Sequence, residues 1–306
     1  MRVVSLLPSA TEMVHFAGGA EWLVGVTHEC DHPPGVEDLP KLTSSRIDPA
    51  LSGAEIDAEV NRLITDDESL YALDADLLAR LDPDLVITQG LCEVCAVSTG
   101  LVEEAVFGLR NKPELLVLNP TSLEDVLADS VRVGDALGRG ERARREVALL
   151  RDRLGGIEDT VAGLQQPGVG CIEWLDPPFS AGHWVPEMVA LAGGRDLFAG
   201  PGERSVRIDW ETVFDAAPEV LVLMPCGFDA RRAAEEAEAL LNLPGWPDLP
   251  AVRDGRVWVV DANSFFSRPA PRLVEGVEIL ARILHPGAFP GQPERDAASR
   301  LSSASG

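Results

Sequence analysis

Residues 2–19, RVVSLLPSATEMVHFAGG, decide the fold of this 306-residue chain. The segment opens with a short apolar run that does not alternate with polar residues, which is typical of a parallel strand covered on both faces. A helical pattern follows, with Ser9 as the expected N-cap, Glu12 three residues later and two glycines at the end. A buried strand that leads at once into a helix favours an α/β fold.

The same alternation of strand and helix continues along both halves of the chain. The predicted buried strands are rich in Val, Ile and Leu, and they span residues 2–7, 22–27, 85–88, 115–118, 169–173, 220–224 and 257–260. Residues 121–164 are helical in pattern apart from a break at 138–140. We therefore predict two Rossmann-like lobes with central parallel sheets, joined by one long backbone helix, with a ligand cleft expected between the lobes at the carboxyl ends of their strands.

The predicted boundaries follow from this pattern. They are an N-terminal lobe at 1–138, a linking helix at 139–166, a C-terminal lobe at 167–286 and a flexible tail at 287–306, with one crossing between the lobes. The tail prediction depends on its richness in Pro, Gly and Ser. A length of 306 residues agrees with two domains.

Composition excludes several classes of partner. The formal net charge is −24, and such a surface repels nucleic acid phosphates and anionic lipid. No run of 18 apolar residues occurs, so no membrane span is predicted. The first apolar run is too short for a signal-peptide core, which predicts a cytoplasmic protein with reduced cysteines, or an exported one if the true start lies upstream.

Sequence motifs of the common enzyme classes do not occur. The chain has no GxGxxG after its first strand, no Walker loop and no GxSxG. These motifs therefore predict no catalytic residue.

The chain resembles the helical-backbone substrate-binding proteins of ABC importers for cobalamin and for iron–siderophore and haem complexes. The resemblance covers residues 1–286, and it depends on six motifs in order: residues 2–19, DPDLVITQ at 82–89, residues 122–138, residues 173–194, PEVLVLMPCG at 218–227 and residues 254–280. It implies a binding protein that performs no catalysis, with a small-molecule metal complex as ligand, cobalamin as one candidate, and no required cofactor.

One departure from the resemblance concerns the permease. The exported relatives carry one exposed acidic residue on each lobe for docking, and these positions fall at Asp76 and Ala190 here. Because Ala190 is not acidic, delivery to an ABC permease stays open.

The candidate ligand-binding residues lie at or just after predicted strand ends, where aromatic walls and a few polar groups suit a flat macrocycle. They are Ser9, Thr11, Glu12, Gln89, Glu173, Trp174, His183, Trp184, Phe228, Asn263, Phe266 and Arg268. Arg207 and Arg268 could also bind a carboxylate or phosphate of the ligand, and the alternative for both is an ordinary surface ion pair.

Two cysteine-bearing stretches form the candidate metal site. THECDHPPG at 27–35 holds His28 and Cys30, and QGLCEVCAVS at 89–98 holds Cys92 and Cys95. Imidazole and thiolate together suit zinc, iron or cobalt. The alternatives are a metalloprotein or enzyme with its own zinc or iron, a redox dithiol, a group that coordinates the cobalt of a corrinoid, and plain structural cysteines.

Overall fold

The computed structural model describes residues 1–66, 69–90 and 99–301. The chain divides into two compact units. Unit 1 comprises Met1–Leu51, Glu55–Pro120 and Glu124–Leu149, and unit 2 comprises Ser52–Ala54, Thr121–Leu123 and Leu150–Gly306. Two short segments of the first half, Ser52–Ala54 and Thr121–Leu123, thus belong to the second unit.

Unit 1 contains a four-stranded parallel sheet and a separate two-stranded antiparallel pair. Its strands are β1 Val3–Ser5, β2 Leu23–Gly25, β3 Thr43–Ser45, β4 Tyr71–Leu73, β5 Leu85–Gln89 and β6 Glu114–Leu118. The parallel sheet has the order β2-β1-β5-β6, and β3 pairs with β4. The pair β3–β4 was not predicted, because three-residue strands carry too little periodicity to be recognised.

Helices cover the parallel sheet of unit 1, as its apolar strands require. The helices that begin in the first half of the chain are α1 Pro8–Phe16, α2 Gly53–Thr65, α3 Ala75–Leu81, α4 Thr99–Phe107, α5 Leu123–Ala136 and α6 Gly140–Val161. Val3, Val4 and Ser5 of β1 are fully buried, so both faces of the central strand are covered. Helix α6 is about 33 Å long at the standard rise and continues from unit 1 into unit 2 at Leu150.

Unit 2 is built on a larger mixed sheet. Its strands are β7 Gly168–Leu175, β8 Pro178–Ser180, β9 Arg195–Asp196, β10 Val206–Arg207, β11 Val220–Leu223, β12 Val257–Val260 and β13 Ala298–Arg300. Its helices are α7 Val185–Leu191, α8 Trp210–Ala216, α9 Ala230–Ala237, α10 Pro250–Arg253, α11 Ala262–Phe265 and α12 Leu273–Leu284. The central strands β7, β11 and β12 are parallel, which confirms the predicted α/β class with parallel sheet cores.

The predicted loose tail differs from the structure in one segment. Ala298–Arg300 forms β13, which pairs antiparallel with β12 at the edge of the sheet. The guanidinium of Arg300 also lies 5.1 Å from the ring centroid of Trp258. An unpaired sheet edge exposes backbone groups, so a polar segment can be ordered by ladder hydrogen bonds although its composition suggests a loop.

Candidate functional site

The carboxyl-terminal edge of the unit 1 sheet carries a buried polar cluster formed by Ser5, Thr11, Thr27 and Cys30. Thr11 Oγ1 donates to Ser5 Oγ at 2.9 Å, and Cys30 Sγ lies 3.1 Å from Thr11 Oγ1 and 3.2 Å from Thr27 Oγ1. All four side chains are buried. The cluster links the end of β1, the start of α1 and the loop after β2, so Thr11 and Cys30 contact protein groups and hold this edge together.

Helix α1 begins differently from its predicted start. Its N-cap is Leu7, whose side chain makes no capping hydrogen bond, and Pro8 occupies the first helical position. The prediction of Ser9 as the N-cap is therefore wrong, because the proline, which needs no hydrogen-bond acceptor there, already sets the start of the helix. Ser9 and Glu12 are both buried within α1.

His28 is the half-exposed imidazole of this edge. Its Nδ1 lies 2.8 Å from Thr43 Oγ1, and its backbone N–H donates to the same oxygen at 3.2 Å. The ring is tilted against Tyr71, with 5.9 Å between the ring centroids. Burial, together with the positive charge of Lys41, lowers the pKa of His28 below its ordinary value, so the imidazole is neutral at neutral pH.

Lys41 secures the loop that follows His28. Its ammonium donates to the backbone carbonyls of Cys30 at 3.3 Å and Val36 at 3.1 Å. Together with the thiol contacts of Cys30, these bonds give the loop a defined conformation.

The predicted four-residue metal site lies partly outside the described residues and stays a prediction. Cys92 and Cys95 lie outside the described residues, and the Cys30 thiol is occupied by two hydroxyl contacts. Residues 1–66, 69–90 and 99–301 contain no group of three or more His, Cys, Asp or Glu arranged to hold a metal ion. Gln89, at the end of β5, is 8% exposed.

In unit 2 the corresponding edge carries an aromatic pair. Trp174, near the end of β7, meets Phe228 edge to face, with 5.5 Å between ring centroids. The guanidinium of Arg232, a residue of α9, lies 3.6 Å from the centroid of the Phe228 ring. Phe228 is buried, whereas Trp174 is partly exposed beside the half-buried Glu173. Within the described part of the chain the indole Nε1 of Trp174 has no hydrogen-bond partner.

Two predicted ligand-binding aromatics belong to the core instead. Trp184 is 6% exposed and Phe266 is 2% exposed. The indole Nε1 of Trp184 donates to the backbone carbonyl of Phe266 at 2.7 Å, which joins the start of α7 to the end of α11. Both side chains serve packing in this structure, and their role in ligand binding stays a prediction.

The remaining predicted residues of unit 2 are partly exposed. His183 has a positive φ of 56°, and burial together with nearby Arg204 lowers its pKa. Asn263 and Arg268 are half-buried in and after α11. Each remains a candidate for ligand contact.

A depression of about 590 Å³ lies beside the turn after β7. Arg207 and Trp210 are among the residues that line it, and Trp210 is held by an edge-to-face contact with the buried Trp246 at 5.9 Å. This depression combines a flat apolar wall with a cation. Arg207 thus stays a candidate for binding an anionic group of a ligand.

The two edges offer surfaces for binding. Sequence reasoning missed Lys41, Thr43 and Tyr71, which position His28. Tyr71 is the chain's single tyrosine, and this was the one signal that could have drawn attention to the β3–β4 pair.

Comparisons with known proteins agree with this architecture. The family model described as periplasmic binding protein matches residues 3–264. A vitamin B12-binding protein of Vibrio cholerae serotype O1 is 23% identical over 291 residues, which are 92% of this chain and 88% of that protein. An uncharacterized ABC transporter substrate-binding lipoprotein of Bacillus subtilis is 24% identical over 296 residues, 94% of this chain and 81% of that protein.

The solved structures show the same fold. A periplasmic haem-binding protein from Pseudomonas aeruginosa superimposes with a TM-score of 0.74 at 23% identity, and the match covers 100% of this chain and 99% of that chain. The prediction of a cytoplasmic location is wrong, because the matching family and this structural relative are periplasmic binding proteins. In the described part of the chain, no helix is long and apolar enough to cross a bilayer.

Proposed function

The chain belongs to the periplasmic binding protein family, and from this we propose that it binds a corrinoid of the cobalamin type, outside the cytoplasm, for an ABC importer. The observation that carries the proposal is the match to a vitamin B12-binding protein over 92% of this chain. The corrinoid is cargo in this account, and the protein performs no chemical step on it.

The residues of the unit 2 edge support a flat, largely apolar ligand. Trp174 offers a partly exposed indole that Phe228 holds from the side, and Arg232 fixes Phe228 in turn. Aromatic faces of this kind suit the rim of a macrocycle. Glu173 and Asn263 add polar groups that can orient the amide side chains of a corrinoid.

Transfer to a permease is the finer part of the proposal. Asp76 is exposed in the first turn of α3, as a docking carboxylate must be. Ala190 is exposed on α7 but carries no charge. Glu187, one turn earlier, accepts from the backbone N–H of Leu123 at 2.8 Å and is therefore already engaged. We propose that docking on the permease depends more strongly on Asp76 here than it does in relatives with an acidic residue at both positions.

Equilibrium dialysis against cyanocobalamin, with haemin and a ferric siderophore as competitors, tests the proposal. Trp174→Ala is expected to weaken cyanocobalamin binding about 30-fold, the usual consequence of removing an aromatic anchor worth about 2 kcal/mol. Phe107→Ala is the matched control, since Phe107 is 85% exposed on α4 in unit 1. Absence of cyanocobalamin binding, or equal loss in both variants, would overturn the proposal.

A further inference from the structure

We propose that the depression beside the turn after β7 binds a nucleotide moiety, with the base against Trp210 and the phosphate on Arg207. Its lining residues all belong to unit 2, and its volume of about 590 Å³ lies in the range of small-molecule sites. The inference goes beyond the proposed function, because it uses neither Trp174 nor Phe228 and a free mononucleotide can test it without any corrinoid.

The indole of Trp210 is held in place before a ligand arrives. The buried Trp246 meets it edge to face with 5.9 Å between the ring centroids, and Phe214 lies against it at 6.3 Å. Trp210 itself is half-buried, so it lines the depression as a fixed flat surface. Nucleobases stack on such surfaces because every base has a π-face. A ring that is already immobilised loses little conformational freedom on binding.

Arg207 supplies a cation that the chain leaves unused. It is exposed on β10, the edge strand of the unit 2 sheet, and its backbone is fixed by pairing with Phe179 of β8. Among residues 1–66, 69–90 and 99–301, no carboxylate forms an ion pair with this guanidinium. The forked N–H donors of a guanidinium match the oxygens of a phosphate. Arg207 is therefore a local anion site in a chain whose net charge of −24 otherwise repels anions.

Two carboxylates at the same depression narrow the class of ligand. Asp209 Oδ1 accepts from the backbone N–H of Thr212 at 2.7 Å and from its hydroxyl at 2.6 Å, so this oxygen is engaged at the start of α8. Asp176 is exposed and has no hydrogen bond or ion pair within the described part of the chain. A bare anion meets both carboxylates and is disfavoured. A ligand that also brings hydroxyl or amino donors satisfies Asp176.

A mononucleotide combines the three required features. It has a flat base for the indole, a phosphate for the guanidinium and ribose hydroxyls that can donate to Asp176. A sugar phosphate lacks the flat ring, and an aromatic carboxylate lacks the hydroxyl donors. Pro178 and Ile208 complete the lining, and the backbone N–H of Ile208 donates to the Pro178 carbonyl at 2.9 Å, which fixes this apolar part.

Two sources share this chemistry. One is a free mononucleotide, and the other is the nucleotide tail that a cobalamin carries below its corrin ring. The same contacts with Trp210 and Arg207 serve either source, so the experiment needs one probe for each.

Equilibrium dialysis of the full chain against adenosine monophosphate (AMP) tests the free nucleotide. We expect one AMP per chain, weakened about 10- to 100-fold in Arg207→Ala through the loss of a charged hydrogen-bond donor. Trp210→Ala is expected to weaken it about 5- to 100-fold through the loss of stacking. Inorganic phosphate at the concentration of AMP should not displace it. Arg231→Ala is the matched control, since Arg231 is 76% exposed on α9 of the same unit.

Dialysis against cyanocobalamin and dicyanocobinamide, which lacks the nucleotide tail, tests the second source. If the depression takes the tail, Arg207→Ala should weaken cyanocobalamin binding about 10- to 100-fold and leave dicyanocobinamide binding unchanged.

The inference is overturned if AMP does not bind and Arg207→Ala leaves cyanocobalamin binding unchanged. It is also overturned if AMP binds wild-type protein and Arg207→Ala equally, or if phosphate displaces AMP completely. Binding of AMP that depends on Arg207, without any binding of cyanocobalamin, overturns the proposed function alone. Failure of both probes to bind overturns both.

Discussion

Replacing Trp184 by Phe separates the packing role of a residue from a role in binding. The indole Nε1 donates to the Phe266 carbonyl at 2.7 Å, and both side chains are buried. Phenylalanine removes the N–H donor and leaves the buried Phe266 carbonyl without this hydrogen bond, which costs about 1–3 kcal/mol of stability. The smaller ring also removes buried apolar surface, at about 0.8 kcal/mol per methylene-sized group. We expect the free energy of unfolding to fall by about 2–5 kcal/mol.

Urea unfolding followed by far-UV circular dichroism measures this change. Trp174→Phe is the matched control, since Trp174 is partly exposed and its Nε1 has no partner within the described residues. The control is expected to lose less than about 1 kcal/mol of stability and to weaken cyanocobalamin binding. If Trp184→Phe kept wild-type stability and lost cyanocobalamin affinity instead, the assignment of Trp184 to the core would be refuted.

Two further predictions concern stability. Gly276→Ala on α12 would place a Cβ against the carbonyl oxygen of Phe265, closer than van der Waals contact allows, so we expect the free energy of unfolding in urea to fall by about 1–3 kcal/mol. Gly287→Ala, where no heavy atom lies within 4 Å, is the control and should lose far less. His183 has a pKa lowered from the ordinary 6.5 by burial and by Arg204, so the unfolded chain takes up its proton at a higher pH than the folded chain. The stability that this group contributes is therefore present above pH 6.5 and is lost on acidification. The slope of the free energy of unfolding against pH below 6.5 should be smaller in His183→Asn. Asparagine is chosen because it tolerates the positive φ of this position. An unchanged slope would contradict this assignment.

The sheet strands were predictable because burial on both faces leaves a strong signal. The strand Val257–Val260 was predicted with the observed bounds. The observed strand β5 extends one residue beyond the predicted range of 85–88. Their runs of branched apolar residues fit no exposed element. Short edge elements such as β3, β4 and β13 gave no such signal, because their stability comes from pairing with a neighbour and not from their own composition.

Side-chain roles at the strand ends were less predictable. Trp174 and Trp184 occupy similar positions in the sequence, each next to a predicted strand or helix end. The difference between them is that the Trp184 indole finds the Phe266 carbonyl, 82 residues away, and this partner is known only once the fold is known. Cys30 and His28 illustrate the same limit: two residues apart, they face the buried cluster and the exposed edge respectively.

The predicted pairing of the first cysteine loop with Cys92 and Cys95 stays a prediction, because residues 91–98 lie outside the described chain. Metal analysis of the untagged protein tests it. About one zinc or iron per chain, lost in a Cys92→Ser, Cys95→Ser double variant, would indicate a site owned by the protein.

The most direct test of the central claim is the affinity of the purified full chain for cyanocobalamin by equilibrium dialysis, read from the absorbance of the corrinoid. The account predicts saturable binding of one corrinoid per chain, weakened by Trp174→Ala and unaffected by Phe107→Ala. Tighter binding of haemin or a ferric siderophore with no measurable binding of cyanocobalamin would contradict it, and would assign this binding protein to another metal complex.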